Sequence, residues 1–310
     1  MFLTVCPNTA LDKILFIKEW TAGMPMRTER IVNSVGGKDL NSAVTLTYLG
    51  AETVSLGFFV GDIGKELVSI VEEYGIKVDA IWADGTNRIA HVIADKKNNE
   101  HSHVIAGKTI VNAAQKQEFL DRFRARLSDT EYIILAGTVP ESMNQDLYAE
   151  LIPIARDAGI PALVDAHGEV MRAAVTAVPD IVKMNWEEFE FTFDKKAETI
   201  ESLIQQAGEF YKEKNLKNLV ITMSKEGILA FTPDGTFLAK APPEEPLNAA
   251  GAGDSVSSTL AFRLSRDDDW GSVLRWSCAV SAATVLTERT GDVFQEDIER
   301  ILPQVSIKKL

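Results

Sequence analysis

The segment EYIILAGTVPESMNQDLYAELIPIARDAGIPALVD, residues 131–165, decides the fold class. It opens with an apolar run at 131–136, continues over 144–158 with apolar residues at three- and four-residue spacing, and closes with a second apolar run at 161–165. Short apolar runs predict buried strands, and the longer spacing predicts a helix. A strand, a helix and a second strand in this order are typical of two parallel strands with a helix covering the sheet.

The same alternation extends in both directions along the chain. It predicts a doubly wound α/β fold, in which a mostly parallel sheet is flanked by helices. The further strands are expected at 53–60, 180–184 and 218–223, and the further helices at 62–74, 112–127 and 197–214.

Other stretches have the alternating character of hairpins. Residues 11–20 and 27–35, then 88–95 and 101–106, predict a small β-sheet lid. A third hairpin is expected at 227–232 and 236–240, joined by the turn residues Pro233, Asp234 and Gly235. We therefore expect one domain over 1–310, with lid strands inserted at about 11–35 and 86–106.

Composition excludes several classes of protein. The net charge of −13 over 310 residues argues against a nucleic-acid partner or an anionic membrane surface. The two cysteines, Cys6 and Cys278, lack the spacing of a zinc site or a disulfide framework. With no N-terminal targeting pattern and no run of 18 apolar residues, a cytoplasmic location is expected. His91, His101 and His103 are interpreted as exposed polar strand residues, not as a metal site.

The run Ala249-Ala250-Gly251-Ala252-Gly253-Asp254-Ser255 leads into an apolar segment at 256–264 that predicts a buried helix. Glycines let the backbone curl around an anion, and a helix N-terminus directs N–H groups at it. Asp254 could then accept the proton of an attacking hydroxyl, as general-base catalysis of phosphoryl transfer requires. An ordinary turn and helix cap is the alternative for this run taken alone. The chain contains no GxxxxGK[ST] and no GxGxxG after a strand, so neither a P-loop nor a Rossmann site is supported.

A second glycine pair, Gly36-Gly37, precedes Lys38, Asp39, Leu40 and Asn41 and a predicted helix at 42–49. The glycines permit close backbone approach to a ligand, and the Asn41 amide can bond hydroxyl groups. Asp12 follows a possible first strand, where its carboxylate could accept hydrogen bonds from a sugar. A flexible turn for the glycine pair and a capping role for Asp12 remain the alternatives.

Six motifs in this order resemble the PfkB branch of the ribokinase-like superfamily, and within it the 1-phosphofructokinases and tagatose-6-phosphate kinases. They are PNTALD (7–12), GGKDLN (36–41), AGTVP (136–140), KMNWEE (183–188), ITMSKEG (221–227) and AAGAGDS (249–255). The resemblance spans nearly the whole chain. It implies a ribokinase-like fold with a β lid, ATP and Mg²⁺ as cofactors, a sugar or sugar-phosphate substrate, and a homodimer formed through the lid.

The resemblance also implies roles for individual residues. Asp254 matches the catalytic base, and Gly251, Ala252 and Gly253 match the backbone anion hole. No direct protein ligand for the metal is expected, but Glu188 matches the residue that organises Mg²⁺ and its waters. The positions that match nucleotide binding are Asn185, Thr222 and Gly227, and those that match substrate binding are Asp12, Gly37, Lys38, Asn41 and Thr138. Arg88 and Arg27 are candidates for a phosphate clamp, because guanidinium groups bind phosphate oxygens bidentately.

Several positions depart from the family pattern. Asp39 stands where relatives usually have glycine, which adds a charge beside the substrate and could disfavour an anionic one. Met184 replaces a proline, Ser224 replaces the first glycine of the nucleotide turn, and Thr138 replaces a serine. The lid around Arg88 does not reproduce the phosphosugar pattern cleanly. An ATP-dependent kinase for a sugar phosphate, of the fructose 1-phosphate or tagatose 6-phosphate type, is therefore expected, with two alternatives: a kinase for an unphosphorylated sugar or nucleoside, and a catalytically impaired sugar-binding regulator.

Overall fold

A computed structural model describes residues 1–95, 97–98 and 100–310, without the side chains of residues 100, 101 and 103. Within these ranges the chain forms fourteen strands and ten α-helices. The strands are β1 (Phe2–Cys6), β2 (Ala10–Ile17), β3 (Arg30–Gly36), β4 (Thr53–Phe59), β5 (Lys77–Trp82), β6 (Asp84–Asp95), β7 (Glu100–Ile110), β8 (Tyr132–Ala136), β9 (Ala162–Asp165), β10 (Ile181–Asn185), β11 (Leu219–Thr222), β12 (Ile228–Thr232), β13 (Gly235–Lys240) and β14 (Ser306–Lys309). The helices are α1 (Lys38–Tyr48), α2 (Gly61–Glu73), α3 (Ala113–Arg126), α4 (Leu147–Asp157), α5 (Gly168–Thr176), α6 (Trp186–Phe193), α7 (Ile200–Glu213), α8 (Ala252–Leu264), α9 (Trp270–Thr284) and α10 (Gln295–Ile301).

The large sheet has ten strands in the order β14-β13-β12-β11-β10-β9-β8-β1-β4-β5. The seven strands from β11 to β5 are parallel, and β12, β13 and β14 extend the sheet in antiparallel fashion. Successive strands are added outward from β1 on both of its sides, which confirms the predicted doubly wound fold. In open sheets of this kind, ligands bind outside the carboxyl ends of the strands where the winding direction reverses, here between β1 and β8.

Helices cover both faces of the large sheet. One face packs a core that includes Phe58, Phe119, Tyr148 and Phe189, contributed in part by α3, α4 and α6. The other face packs a core that includes Val256, Leu260 and Trp270, from α8 and α9. None of the helices in the described ranges combines the length and the apolar character needed to cross a bilayer.

A separate four-stranded sheet has the order β3-β2-β6-β7. The β2–β3 and β6–β7 pairs are antiparallel hairpins, as the alternating patterns predict, and β2 pairs with β6 in parallel to join them. In this register Ala10 of β2 lies opposite both Gly36 of β3 and Arg88 of β6. One end of the small sheet therefore carries Gly36, Arg88 and the nearby Asp12 together.

Two helices begin earlier than predicted. Helix α1 begins at Lys38, not at residue 42, and α8 begins at Ala252, not at residue 256. In each case a single glycine with positive φ, Gly37 or Gly251, ends the turn, and the following motif residues are already helical. Asn41 and Asp254 therefore lie in the first turns of α1 and α8.

Candidate active site

The carboxyl ends of adjacent parallel strands place chemically active residues in one row. The strand registers pair Ala136 of β8 with Asp165 of β9, and Asp165 with Lys183 of β10. The next pairing along the sheet sets Asn185 beside Thr222 of β11. Asn185 and Thr222, which sequence motifs predict for the nucleotide, therefore lie at the same edge of the sheet as Asp165 and Lys183.

Asp254 lies in the first turn of α8 and its side chain is almost entirely buried. The amide Nδ2 of Asn41 donates a hydrogen bond of 2.8 Å to Oδ2 of Asp254. Burial and then the charge of Asp165 raise the pKa of Asp254 to about 6, against the opposing effect of Lys183, Lys38 and the Asn41 hydrogen bond. A carboxylate with a pKa near 6 is ionised at neutral pH and is suited to accept a proton.

The backbone before Asp254 forms a concave turn at the N-terminus of α8. Gly251 has φ +84°, and a β-carbon there would lie 2.8 Å from Cγ2 of Thr290, so only glycine fits. At Gly253 a β-carbon would lie 3.0 Å from Nζ of Lys183. The free N–H groups of Ala252 and its neighbours and the Lys183 ammonium are thus close together, which is an arrangement suited to an anion.

An ionic chain connects this turn to the rest of the sheet edge. Nζ of Lys183 lies 2.7 Å from Oδ2 of Asp165, and Nζ of Lys38 lies 2.8 Å from Oδ1 of the same carboxylate. Ser257 of α8 also donates a hydrogen bond of 2.8 Å to Asp165. Burial alone would raise the pKa of Asp165, but Lys183 and Lys38 outweigh it and lower the pKa. Asp165 therefore remains ionised and holds two ammonium groups beside the anion turn.

Glu188 connects the ionic chain to helix α6. Its Oε1 lies 2.6 Å from Nζ of Lys38 and 3.5 Å from Nδ1 of His167. Its Oε2 accepts a hydrogen bond from the backbone N–H of Asn185, whose side chain accepts one from the N–H of Glu188. This reciprocal capping box explains why an N-x-x-E spacing begins a helix here. The same geometry fixes the Glu188 carboxylate next to the ammonium of Lys38.

The predicted nucleotide turn lies between β11 and β12. Thr222 ends β11, and Gly227, with φ +100°, precedes β12 across a short 3₁₀ turn at Ser224–Glu226. Ser224 has φ +51°, a left-handed conformation that favours glycine. The nucleotide turn therefore adopts a left-handed conformation at Ser224, although serine replaces the first glycine of the family pattern there. Among the described residues, neither Thr222 nor Gly227 forms a hydrogen bond with Asp254.

A cavity of about 170 Å³ lies at the point where the winding direction reverses between β1 and β8. Nδ2 of Asn8 donates a hydrogen bond of 3.0 Å to Oγ1 of Thr138, and Nη1 of Arg88 donates one of 3.0 Å to the carbonyl oxygen of Asn8. The residues that line the cavity are Cys6, Asn8, Gly37, Lys38, Asp39, Arg88, Ala136, Gly137, Thr138 and His167.

Asp12 lies near Asp254 and near Arg88, which lines this cavity. A β-carbon on Gly36 would lie 2.0 Å from Oδ1 of Asp12, so the glycine makes room for the carboxyl group. Burial and then the charge of Asp254 raise the pKa of Asp12 to about 7, and Arg88 opposes them. Two acids with elevated pKa values therefore lie near one another, which is typical of catalytic and binding sites.

One predicted substrate residue lies apart from the others. Arg27 is exposed in the connection between β2 and β3, and no described contact joins it to the cavity. Lys38, a predicted substrate residue, lines the cavity, and its ammonium contacts Asp165 and Glu188. His91 lies on β6, whereas the side chains of His101 and His103 are outside the described part of the chain.

Sequence reasoning missed four residues of this site: Asp165, Asn8, His167 and, as an active group, Lys183. Asp165 had an available signal, since it ends a predicted parallel strand and polar residues at such ends often bind ligands. Lys183 lies inside an apolar strand, where a buried lysine requires a charged partner. Asn8 lies in the PNTALD motif, but neither its local sequence nor that of His167 indicates the contacts that these residues make across the fold.

The fold is that of an α/β protein with charged groups gathered at the carboxyl edge of its sheet, in an arrangement suited to an anion. The chain matches the pfkB family carbohydrate kinase domain over residues 9–297 and belongs to that family. It is 23% identical to a 1-phosphofructokinase of Bacillus subtilis (strain 168), with all of both chains covered. It is 24% identical to a D-tagatose-1-phosphate kinase of Bacillus licheniformis, with 96% of each chain covered. The structure of phosphofructokinase-2 from Escherichia coli in complex with substrates and products superposes with a TM-score of 0.88 at 19% identity, covering 97% of this chain and 98% of that one.

Proposed function

We propose that this protein transfers the γ-phosphoryl group of ATP to a hydroxyl of a sugar phosphate, with Asp254 as the general base. The observation that carries the proposal is the position of the Asp254 carboxylate, held by Asn41 in the first turn of α8 next to the anion turn. A base at this place can take the proton of the acceptor hydroxyl while backbone N–H groups receive the phosphoryl group.

The donor side of the site fits a nucleotide triphosphate and its metal ion. The ammonium groups of Lys38 and Lys183 and the N-terminus of α8 supply positive charge for the transferred phosphoryl group. When bound, Mg²⁺ would neutralise charge on the phosphates of ATP. Glu188 fits the role of holding its water molecules, because the carboxylate is partly exposed and retains lone pairs beyond its bonds to Lys38 and Asn185. In the described part of the chain no three acidic, histidine or cysteine side chains cluster as a direct metal site.

The acceptor side fits a sugar that already carries a phosphate. Asp12 and Asn41 lie beside Asp254, where they can bond sugar hydroxyls. The adjacent cavity of about 170 Å³ is lined by Arg88, Thr138 and Asn8, which together supply a guanidinium, a hydroxyl and an amide. These groups suit a phosphate bound away from the reacting hydroxyl. We place the resident phosphate of the acceptor in this cavity.

A panel of acceptors tests the proposal. ADP formation is measured with fructose 1-phosphate, fructose 6-phosphate, tagatose 6-phosphate, tagatose 1-phosphate and the unphosphorylated sugars and nucleosides. Preference for one sugar phosphate is the expected result. Preference for an unphosphorylated sugar or nucleoside would favour the first alternative. Absence of turnover together with ligand-dependent thermal stabilisation would favour a sugar-binding regulator.

We also propose that two copies of the chain associate through the small sheet. Its exposed apolar side chains include Ile31 of β3 and Val104 and Ile105 of β7, each more than half exposed. Burying such side chains against a second copy would stabilise a dimer. Sedimentation measurements on the wild type and on Val104→Lys test this, since the variant should shift the chain toward the monomer. An unchanged mass would contradict it.

A further inference from the structure

Asp39 is a buried acid at the wall of the acceptor cavity, and among the described residues its carboxyl oxygens have no hydrogen-bonding partner of good geometry. It is the second residue of α1 and is 0% exposed. It lines the 170 Å³ cavity, and neither carboxyl oxygen accepts or donates a well-directed hydrogen bond among the described residues. Leaving a buried polar group unsatisfied costs free energy, so the retention of such a group requires a reason.

The surroundings of Asp39 favour its neutral form. Burial raises the pKa of Asp39 to about 7, while the nearby Cys6 thiol and the backbone amides at the start of α1 lower it and the charge of Asp254 raises it further. Cys6 is itself buried beside Asp39, and its pKa is raised well above its usual value. The titratable and charged groups that face Asp39 or share its cavity are Cys6 of β1, Tyr148 of α4, Asp254 of α8, Lys38 of α1, Arg88 of β6 and His167.

The two positively charged side chains that line the cavity, Lys38 and Arg88, already contact other protein groups. The Lys38 ammonium contacts Asp165 and Glu188, and one arm of the Arg88 guanidinium donates to the carbonyl of Asn8. A phosphate in the cavity therefore still needs hydrogen-bond donors. An ionised carboxylate would repel it, whereas a neutral carboxyl group has one O–H donor to offer.

We propose, on the basis of the proposed function, that Asp39 is a specificity-determining residue of the acceptor site: its neutral carboxyl group donates a hydrogen bond to the resident phosphate of the sugar phosphate, and its ionised form rejects that phosphate. A proton held on Asp39 is thus part of the binding site. Loss of that proton to solvent converts a donor into a repelling charge, so the affinity for a phosphorylated acceptor falls as pH rises.

The test compares three forms of the full chain with the sugar phosphate preferred in the panel, over pH 5.5 to 8.5. In the wild type KM should rise above pH 7, approaching tenfold per pH unit as one proton is lost. Asp39→Asn keeps a donor that cannot ionise, so its KM should stay within about threefold of the wild-type value at pH 6 and should not follow that rise. Asp39→Gly removes the donor, so its KM should be about tenfold higher at pH 6 and also free of the rise. The kcat of each form is recorded at every pH, so that any change in turnover is separated from the change in KM.

The controls separate this effect from other titrations. The phosphate of the substrate titrates near pH 6 and is common to all forms, so the difference between wild type and variant isolates Asp39. Glu213→Gln removes an exposed acid at the end of α7 and should reproduce the wild-type profile. Calorimetry in buffers of different ionisation enthalpy should show more proton uptake on acceptor binding at pH 7.5 for the wild type than for Asp39→Asn. If Asp39→Asn does not fold, Asp39→Gly serves for the same comparison.

Parallel KM profiles of the wild type and the variants would overturn the inference, as would equal proton uptake. A lower KM in Asp39→Gly than in the wild type at pH 6 would also overturn it, because Asp39 would then oppose the phosphate in both protonation states. These outcomes are distinct from failure of the proposed function, which would appear as a wild-type protein that phosphorylates no sugar phosphate at any pH.

Discussion

Nδ2 of Asn41 lies 2.8 Å from Oδ2 of Asp254, a contact that joins the first turns of α1 and α8. The two helices also meet through Ser42, whose hydroxyl donates to the backbone carbonyl oxygen of Asp254. The two glycine motifs, separated by more than 200 residues in sequence, therefore build one site. The hydrogen bond from Asn41 stabilises the ionised form of Asp254 and lowers its pKa.

Asn41→Ala should shift the pH dependence of the reaction. Burial already raises the pKa of Asp254 to about 6, and loss of the Asn41 donor should raise it further. Because the base must be ionised, kcat/KM rises with pH through that pKa, and the acid limb of the variant should move about one pH unit higher. Ser42→Ala removes a neighbouring bond that does not reach the carboxylate and should leave the limb in place. If the acid limbs of the kcat/KM profiles of Asn41→Ala and the wild type coincide, Asn41 does not lower the pKa of the catalytic base.

Lys183→Met should destabilise the fold more than any surface change. The substitution leaves the fully buried Asp165 with only one of its two ammonium partners, and breaking a buried pair costs about 3–5 kcal/mol of unfolding free energy. Lys38→Met is the matched control: Lys38 is partly exposed, and its loss should cost less. Urea denaturation of both variants measures the difference. Equal losses of unfolding free energy in the two variants would contradict the expectation that the Lys183–Asp165 ion pair stabilises the fold more than the Lys38–Asp165 ion pair does.

Ser224→Gly should stabilise the protein by about 0.5–1 kcal/mol. Ser224 has φ +51°, a conformation that costs a residue with a side chain more than it costs glycine. Ser265, which has φ −66° at the end of α8, provides the control, because glycine there should only lower stability. Thermal unfolding of the two variants gives the comparison. A loss of stability in Ser224→Gly would mean that the serine side chain makes a compensating contribution.

Asp39→Asn should change how stability depends on pH in the protein without substrate. The pKa of Asp39 is about 7 in the folded chain and near 3.8 when unfolded, so the folded state binds more protons between these values. Its contribution is fully present below pH 3.8 and is lost as pH rises through 7. The stability of Asp39→Asn relative to the wild type should therefore increase by roughly 2–3 kcal/mol from pH 5 to pH 8. A difference that does not vary with pH would show that Asp39 titrates normally.

The sequence predicted the parallel core of the fold because each of its strands is a compact apolar run. The strands at 132–136, 162–165 and 219–222 lie within the predicted ranges. Strands β5 and β14 were missed because they lie at the two edges of the sheet, and edge strands carry mixed polar residues such as Lys77 and Lys308. Their position follows from the completed sheet and not from local pattern.

The geometry of the candidate site was predictable where it follows from a local motif. Gly251, Gly253 and Asp254 form one turn, and Asn185 and Glu188 form one capping box, so their spacing alone indicates their geometry. The charge state of Asp39 could not be predicted. Its sequence position suggests a negative charge beside the substrate, but burial raises its pKa to about 7, although the Cys6 thiol opposes that effect. That outcome depends on which side chains the fold packs around it.

The most direct test of the account is the rate of phosphoryl transfer by Asp254→Asn. Asparagine keeps the size of the side chain and can still accept a hydrogen bond from Asn41, but it cannot take a proton from the acceptor. With ATP and the preferred sugar phosphate, kcat should fall at least about a hundredfold, while acceptor binding measured by calorimetry stays within about threefold of the wild type. Turnover by Asp254→Asn at the wild-type rate would contradict the assignment of Asp254 as the general base.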